Sequence, residues 1–225
     1  MPAEEPRSED ELSDEARLAL GYTPAHLRER FQTVLQLDRR LARILAATTE
    51  TMLGQLRLAW WREALGQDPQ ERPRGDLVLD AVGKHLSGRE ASLVRLVDGW
   101  EHLLKDACLQ PEDAQAFADG RGAAIASVFA EIPGANKEQA GALVRAARCW
   151  ALADLAANVS AVSERDMLVS LGLAAGAGRT GLRREARGVA VLGALGQRSL
   201  RRGGKPLMEG RSAALTAMRA GLLGR

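Results

Sequence analysis

Aromatic residues are scarce. Four tryptophans, three phenylalanines and one tyrosine make up 4% of the 225 residues. No stretch alternates apolar and polar side chains for long, so strands have little support. Cysteine is scarcer still. Cys108 and Cys149 stand far apart, with no CxxC pair and no His-rich neighbourhood. That excludes a zinc pattern or a disulfide framework and reads as two core thiols in a reducing compartment. An excess of one charge is also missing. The 31 basic and 29 acidic residues leave a net charge of +2, which gives no broad footprint for nucleic acid. No apolar run approaches the roughly 18–20 residues that span a bilayer. The head MPAEEPRSEDELSDEAR is acidic and polar, whereas a secretory signal is basic and then apolar. The expected location is the cytoplasm or the periphery of the inner membrane, with any lipid contact made from the side. GxSxG, Walker and GxGxxG patterns in a strand-to-helix setting are absent as well.

What remains is helical. The hydrophobic content is 46%, enough for a core, and Ala, Leu and Arg dominate. Residues 1–17 read as a polar, flexible segment and 18–225 as a single helical domain. Thr23 and Pro24 read as an N-cap and first-turn proline opening a helix to about Thr48. Its apolar face comprises Phe31, Val34, Leu35, Leu41, Ala42 and Leu45 and includes Asp38, while Arg39, Arg40 and Arg43 turn to the side or away. The next helix, Glu50 to Leu65, places Leu53, Leu56, Trp60 and Ala64 in one stripe and ends at Gly66. Further helices are expected at about 77–86, 90–108, 111–132, 137–162, 184–201 and 207–223. Gly88, Gly120, Pro133-Gly134 and Gly203-Gly204 mark the joints. The Gly/Ala-rich stretch 172–181 reads as a loose connection and a weak phosphate-loop candidate, since no strand precedes it. The fold class is all-α, an irregular multi-helix bundle around a cavity or a filled core.

Several side chains invite a chemical reading. Trp60 is expected to fill the core, with Trp61 and Arg57, four apart, forming a stacked surface pair or the wall of an apolar groove. Asp154 and Asn158 form an i, i+4 pair on the stripe with Ala147 and Trp150. They are read as sharing a hydrogen bond inside the bundle or as one weak ligand each. Glu164, Arg165 and Asp166 open a short helix capped by Ser163. His26, His85 and His102 lie at helix ends or on the surface without metal-ligand spacing. In the last helix Leu207, Leu215, Met218 and Leu222 make an apolar stripe flanked by Arg211, Arg219 and Arg225. It is expected to lie on the bundle, with a membrane-surface or partner role as the alternative.

The order RFQTVLQLDRRLARILAATTETMLGQLRLAWWREAL resembles the N-terminal part of the squalene/phytoene synthase family, in which an aspartate-bearing helix leads to a helix reading R-L-x-W-W-R. AFADGRGAAIASVFAEI resembles that family's mid-chain helix, and ARCWALADLAANVS stands where its second aspartate-rich helix falls. The likeness covers most of the chain from about Leu18. It implies the isoprenoid (terpenoid) synthase type of bundle and an ancestry in head-to-head condensation of two prenyl diphosphates. That chemistry needs magnesium held by carboxylates on two facing helices and a dry apolar cavity for the carbocation.

The sequence departs from the family at both metal-binding places. Where Asp-Asp-x-x-Asp is expected, Leu37-Asp38-Arg39-Arg40-Leu41-Ala42-Arg43 keeps one carboxylate among arginines, and Asp38 is expected to pair with an arginine. Over the second motif, Gln-x-x-Asn-x-x-Arg-Asp, the chain reads Asp154-Leu155-Ala156-Ala157-Asn158-Val159-Ser160-Ala161. Where many members carry a tyrosine, Phe117 precedes Arg121-Gly122-Ala123, and a ring without a hydroxyl relays no proton. The resemblance therefore implies a degenerate member, lacking a metal site, that binds an isoprenoid or isoprenyl diphosphate or assists assembly of a protein partner. Two alternatives stand beside it. One is an active prenyltransferase that clamps diphosphate through Arg39, Arg40, Arg43 and Arg57 and takes magnesium as its cofactor. The other is a helical interaction module. The site candidates are Asp38, Arg39, Arg43, Arg57, Trp61, Phe117, Arg121, Asp154 and Asn158.

Overall fold

A computed structural model describes residues 11–105, 107–130, 136–176 and 181–224. Among them the chain is helical, without strands: α1 (Asp14–Gly21), α2 (Ala25–Ala46), α3 (Thr51–Gly66), α4 (Leu77–His85), α5 (Glu90–Glu101), α6 (Pro111–Phe129), α7 (Lys137–Asn158), α8 (Val162–Ala175), a 3-10 turn (Arg184–Ala186), α9 (Arg187–Arg201) and α10 (Ser212–Leu223). The most extensive contacts join α5 to α6 and α7 to α9; α6 also lies against α7, and α2 crosses α4, α5 and α6. One continuous core runs through these helices, with Phe31, Leu37, Leu41, Phe117, Ile125 and Leu152 sealed inside it. Each buried Leu or Phe contributes about 1.5–3 kcal/mol by leaving water.

Local chemistry sets the ends. Pro111 opens α6, where its missing N–H is not needed. Asp76 caps α4 by accepting from the backbone N–H groups of Val78 and Leu79 at 2.9 and 3.0 Å, and Asn136 caps α7 through the N–H of Gln139 at 2.9 Å.

Several expectations need correcting. The polar head turns helical at Asp14, because Ala16, Ala19 and Leu20 form a small apolar face that α1 buries on α9 and α2. Thr23 does not cap α2; its buried hydroxyl donates back to the Ala19 carbonyl at 2.9 Å, and Pro24 stands in the cap position. On α3 the tryptophans exchange places: Trp61 is 3% exposed and Trp60 42%. The buried stripe is Gly54, Leu58, Trp61 and Leu65, and Leu53, Leu56 and Trp60 face out. Leu104 decides this by lying directly over Gly54, where a side chain would collide with it.

The turn that brings Leu104 there ends α5 at Glu101, short of Cys108, so Cys108 is exposed and only Cys149 is a core thiol. Burial pushes the Cys149 pKa up to about 12. Helix α7 stops at Asn158, and α8 starts at Val162 with Ala161, not Ser163, in the cap position. The expected connection 172–181 is helical as far as Ala175, because Gly172 fits closely against Leu200; residues 177–180 lie outside the described residues. So do 131–135, with Pro133-Gly134 and the expected end, at 132, of the helix that starts at Pro111, and Arg225. Finally, α10 begins at Ser212, after Gly210 turns the chain with φ 82°. Leu207 is buried, but Leu215, Met218 and Leu222 face outward, and Ala213, Ala217, Ala220 and Gly221 form the inner face instead. Small residues win that face because they let α10 approach α9 and Tyr22 closely.

Candidate functional site

Four helices converge on one buried guanidinium. Within the Gly120-Arg121-Gly122 run of α6, a Cβ at Gly120 would collide with the Arg95 carbonyl of α5, and one at Gly122 would stand 3.3 Å from Arg148 on α7. The two glycines let α6 approach both neighbours, and Arg121 extends between them. From α2 comes Asp38, from α5 Trp100, and from α7 Asp154 and Trp150.

Arg121 is 3% exposed. Its Nη2 donates to Asp38 Oδ2 at 2.5 Å and its Nη1 to Asp154 Oδ2 at 2.8 Å. The other Asp38 oxygen accepts from Trp100 Nε1–H at 2.8 Å. The guanidinium carbon lies 3.9 Å from the Trp150 ring centre, 5.2 Å from Phe117 and 5.5 Å from Trp100. Trp100 and Phe117 meet edge to face at 4.8 Å. The cation is thus bridged by two anions and walled by three aromatic faces, each of which attracts positive charge.

The electrostatics follow from burial. Removal from water raises the Asp38 pKa above its ordinary value, and the charge and hydrogen bond of Arg121 and the indole N–H of Trp100 oppose that rise. For Arg121 burial disfavours the charge, but the two carboxylates outweigh it and hold its pKa above the ordinary guanidinium value. Arg121 stays protonated.

Magnesium asks for octahedral oxygen ligands with open places for water and phosphate. Here both oxygens of Asp38 and both of Asp154 accept hydrogen bonds, the second Asp154 oxygen from Asn158 at 3.4 Å, and a cation already lies between the two carboxylates. No group of three His, Cys, Asp or Glu among the described residues is placed to hold a metal. The residues present do not fit a magnesium site.

Space lies outside this crossing. Between Val34, Leu35, Leu96, Ile125 and Trp150 the interior is closed. A cavity of about 70 Å³ adjoins Asp38, Arg121 and Asp154 under α1. It borders a surface groove of about 650 Å³, lined by the Glu11–Glu15 stretch, Arg17, Arg39, Arg43, Asp154, Asn158 and Pro206–Met208.

The structure gathers Asp38, Phe117, Arg121 and Asp154 into the crossing. Arg39, exposed, and Arg43, half-buried, stand on the groove wall. Asn158 is exposed at the end of α7; its Nδ2 donates to the Asp154 carbonyl at 2.8 Å and to Asp154 Oδ1 at 3.4 Å, so the expected hydrogen bond of this pair is formed, at the surface rather than inside the bundle. Arg57 is exposed on α3, and Trp61 is closed into the core, so the expected surface pair of these two is not formed; neither lines the groove. Arg40 turns to Asp76 at 2.9 Å. The four arginines of the diphosphate-clamp reading therefore do not converge.

Three residues escaped the sequence reading, Trp100 and Glu15 at the crossing and its cavity and Asp113 apart from them. Trp100 ends a Leu93, Leu96, Val97 stripe and looks like core. Glu15 sits in the head that reads as flexible; burial raises its pKa, the Ser13 hydroxyl opposes this, and Asp154 adds to the rise. Asp113 accepts from Lys105 Nζ at 2.5 Å and faces His102 Nδ1 at 3.2 Å. His102 is thereby paired, and its position on the turn after α5 carried no sequence signal for that pairing.

The described residues define an all-helical protein with a carboxylate–guanidinium–carboxylate bridge at the centre of its helix crossings. In comparison with known proteins, no family model matches the chain, and no curated protein or solved structure matches it.

Proposed function

We propose that the chain is a divergent protein of the squalene/phytoene synthase type that has given up metal-dependent chemistry, and that it binds an isoprenoid or supports the assembly of another protein. The observation that carries this reading is the double bridge of Arg121 to Asp38 and Asp154. In the resembling family these two helices would present carboxylates to magnesium; here the cation is a side chain of the protein itself. Motif order and the all-helical bundle support the same reading. The space between Leu35, Leu96, Ile125 and Trp150 is closed, and the groove beside α1, whose wall carries Arg39 and Arg43, is the place this reading assigns to a ligand.

The test is direct. Purified protein incubated with farnesyl or geranylgeranyl diphosphate and magnesium is expected to release no diphosphate above background, and any binding of these compounds is expected to be unchanged by magnesium. Diphosphate release that disappears in Asp38→Ala or Asp154→Ala would overturn the proposal.

A second reading, a helical interaction module, is favoured by the outward face of α3, where Met52, Leu53, Leu56 and Trp60 expose a continuous apolar stripe. Monomodal sedimentation as a single chain, unaltered by Met52→Glu with Leu56→Glu, would count against self-association through that face.

A further inference from the structure

The last two helices carry apolar and basic surface side by side. On α10, Leu215 is 63% exposed, Leu222 58%, Leu223 55% and Met218 48%. Leu215, Met218 and Leu222 repeat at i, i+3 and i+7 and point away from the Ala213, Ala217 and Ala220 face that lies on α9. Along one edge of this stripe runs a hollow between α9 and α10, lined by Arg198, Arg201, Arg202, Thr216 and Arg219. From Arg187 to Leu223 the chain has seven basic residues and a single acid, Glu209. Glu209 is already engaged by Arg202 and Lys205. Arg198 spends its donors within the hollow, on Ser212 and the Glu209 carbonyl, and its pKa is lowered by burial and by the charge of Arg202. The nearly balanced charge of the whole chain therefore conceals a strongly positive end.

We propose that this face docks on an anionic lipid surface, with the α10 leucines in the acyl boundary and Arg201, Arg202 and Arg219 at the level of the phosphates. Charge complementarity and side-chain type select this occupant. The stripe is aliphatic, without the aromatic anchors that mark protein interfaces, and an arginine-flanked apolar helix lying flat is the form that enters a headgroup layer. Each cation near an anionic leaflet strengthens binding by about a factor of five. No described helix is long and apolar enough to cross the membrane, so the contact is lateral.

The experiment is flotation of the full chain with phosphatidylcholine vesicles, with and without phosphatidylglycerol. Binding to the mixed vesicles is expected to exceed that to neutral ones by about tenfold or more and to weaken with salt. Leu215→Glu with Leu222→Glu is expected to abolish it, and Arg201→Gln with Arg219→Gln to weaken it about 30-fold. Met52→Glu with Leu56→Glu on α3 is expected to leave it unchanged. All these positions are exposed, and unaltered thermal melts verify that each variant is folded. Equal binding to neutral and anionic vesicles overturns the proposal, as does equal loss in the α3 variant. So does binding to soluble polyglutamate that matches the vesicles and ignores the α10 leucines, which would assign the face to an acidic protein instead.

Discussion

At the scale of single residues, Arg121 holds together groups that would repel or remain unsatisfied without it. Replacing Arg121 by Met leaves Asp38 buried with only the Trp100 indole for a partner. The expected loss is about 3–5 kcal/mol, the usual cost of breaking a buried ion pair from one side. Adding Asp38→Leu to that variant is expected to recover part of the loss, because a matched apolar pair costs less than an orphaned charge; Asp154 is partly exposed and can turn to water. Urea unfolding of the single and double variants checks the order. If the double variant is the weaker, the ionic account of this crossing is wrong.

Asp113 offers a pH test with the opposite direction of shift. The hydrogen bond from Lys105, followed by that from His102, holds its pKa below the ordinary aspartate value of 3.8. A folded pKa below the unfolded one stabilises the protein above 3.8, and this contribution disappears as the pH falls through the folded value. Asp113→Asn is therefore expected to lower the melting temperature at neutral pH, by about 1 kcal/mol in stability since both partners are half in water. The gap to the parent protein is expected to close in acid well below 3.8. A gap independent of pH would mean that the carboxylate's charge is irrelevant there.

At the scale of helices, two glycines of similar appearance have opposite roles. Gly83 lies within α4 with nothing near its missing Cβ, so Gly83→Ala is expected to stabilise by about 0.5–1 kcal/mol through helix propensity. Gly120 touches the α5 backbone, so Gly120→Ala must part α5 from α6 and is expected to cost about 1–3 kcal/mol or more. Parallel denaturation curves separate the two cases.

The same contrast marks what could be read from sequence. Most of the helices, though not α1, and many of the breaks were legible, because a 3.6-residue apolar period, Pro111 and Gly66 act locally. The face that α3 buries was not legible. Leu53, Leu56 and Trp60 make as good a stripe as Leu58, Trp61 and Leu65, and the choice belongs to Leu104, half a hundred positions away in sequence. The end of α5 and the outward turn of Leu215 and Leu222 depended likewise on distant partners. Within the site, Asp38 and Asp154 stood out as carboxylates on apolar stripes, and Arg121 only through the resemblance, at the head of its small-residue run. Their meeting needed the crossing of α2, α6 and α7, which no local pattern encodes.

At the scale of the whole molecule, the Arg121 bridge alters how the fold is completed. A protein that closes its centre around a metal ion must wait for that ion, and its folded fraction follows the ion's supply. Here the positive charge arrives on the chain as α6 settles against α5 and α7. Refolding is therefore expected to proceed at the same rate and to the same yield in a chelator as in excess magnesium, as measured by tryptophan fluorescence after dilution from urea. A chelator-dependent yield would show that the counter-charge is not supplied from within. On this account the crossing of α2, α6 and α7 carries an inbuilt counter-ion that cannot dissociate, so the closing of that crossing waits on no ion from outside.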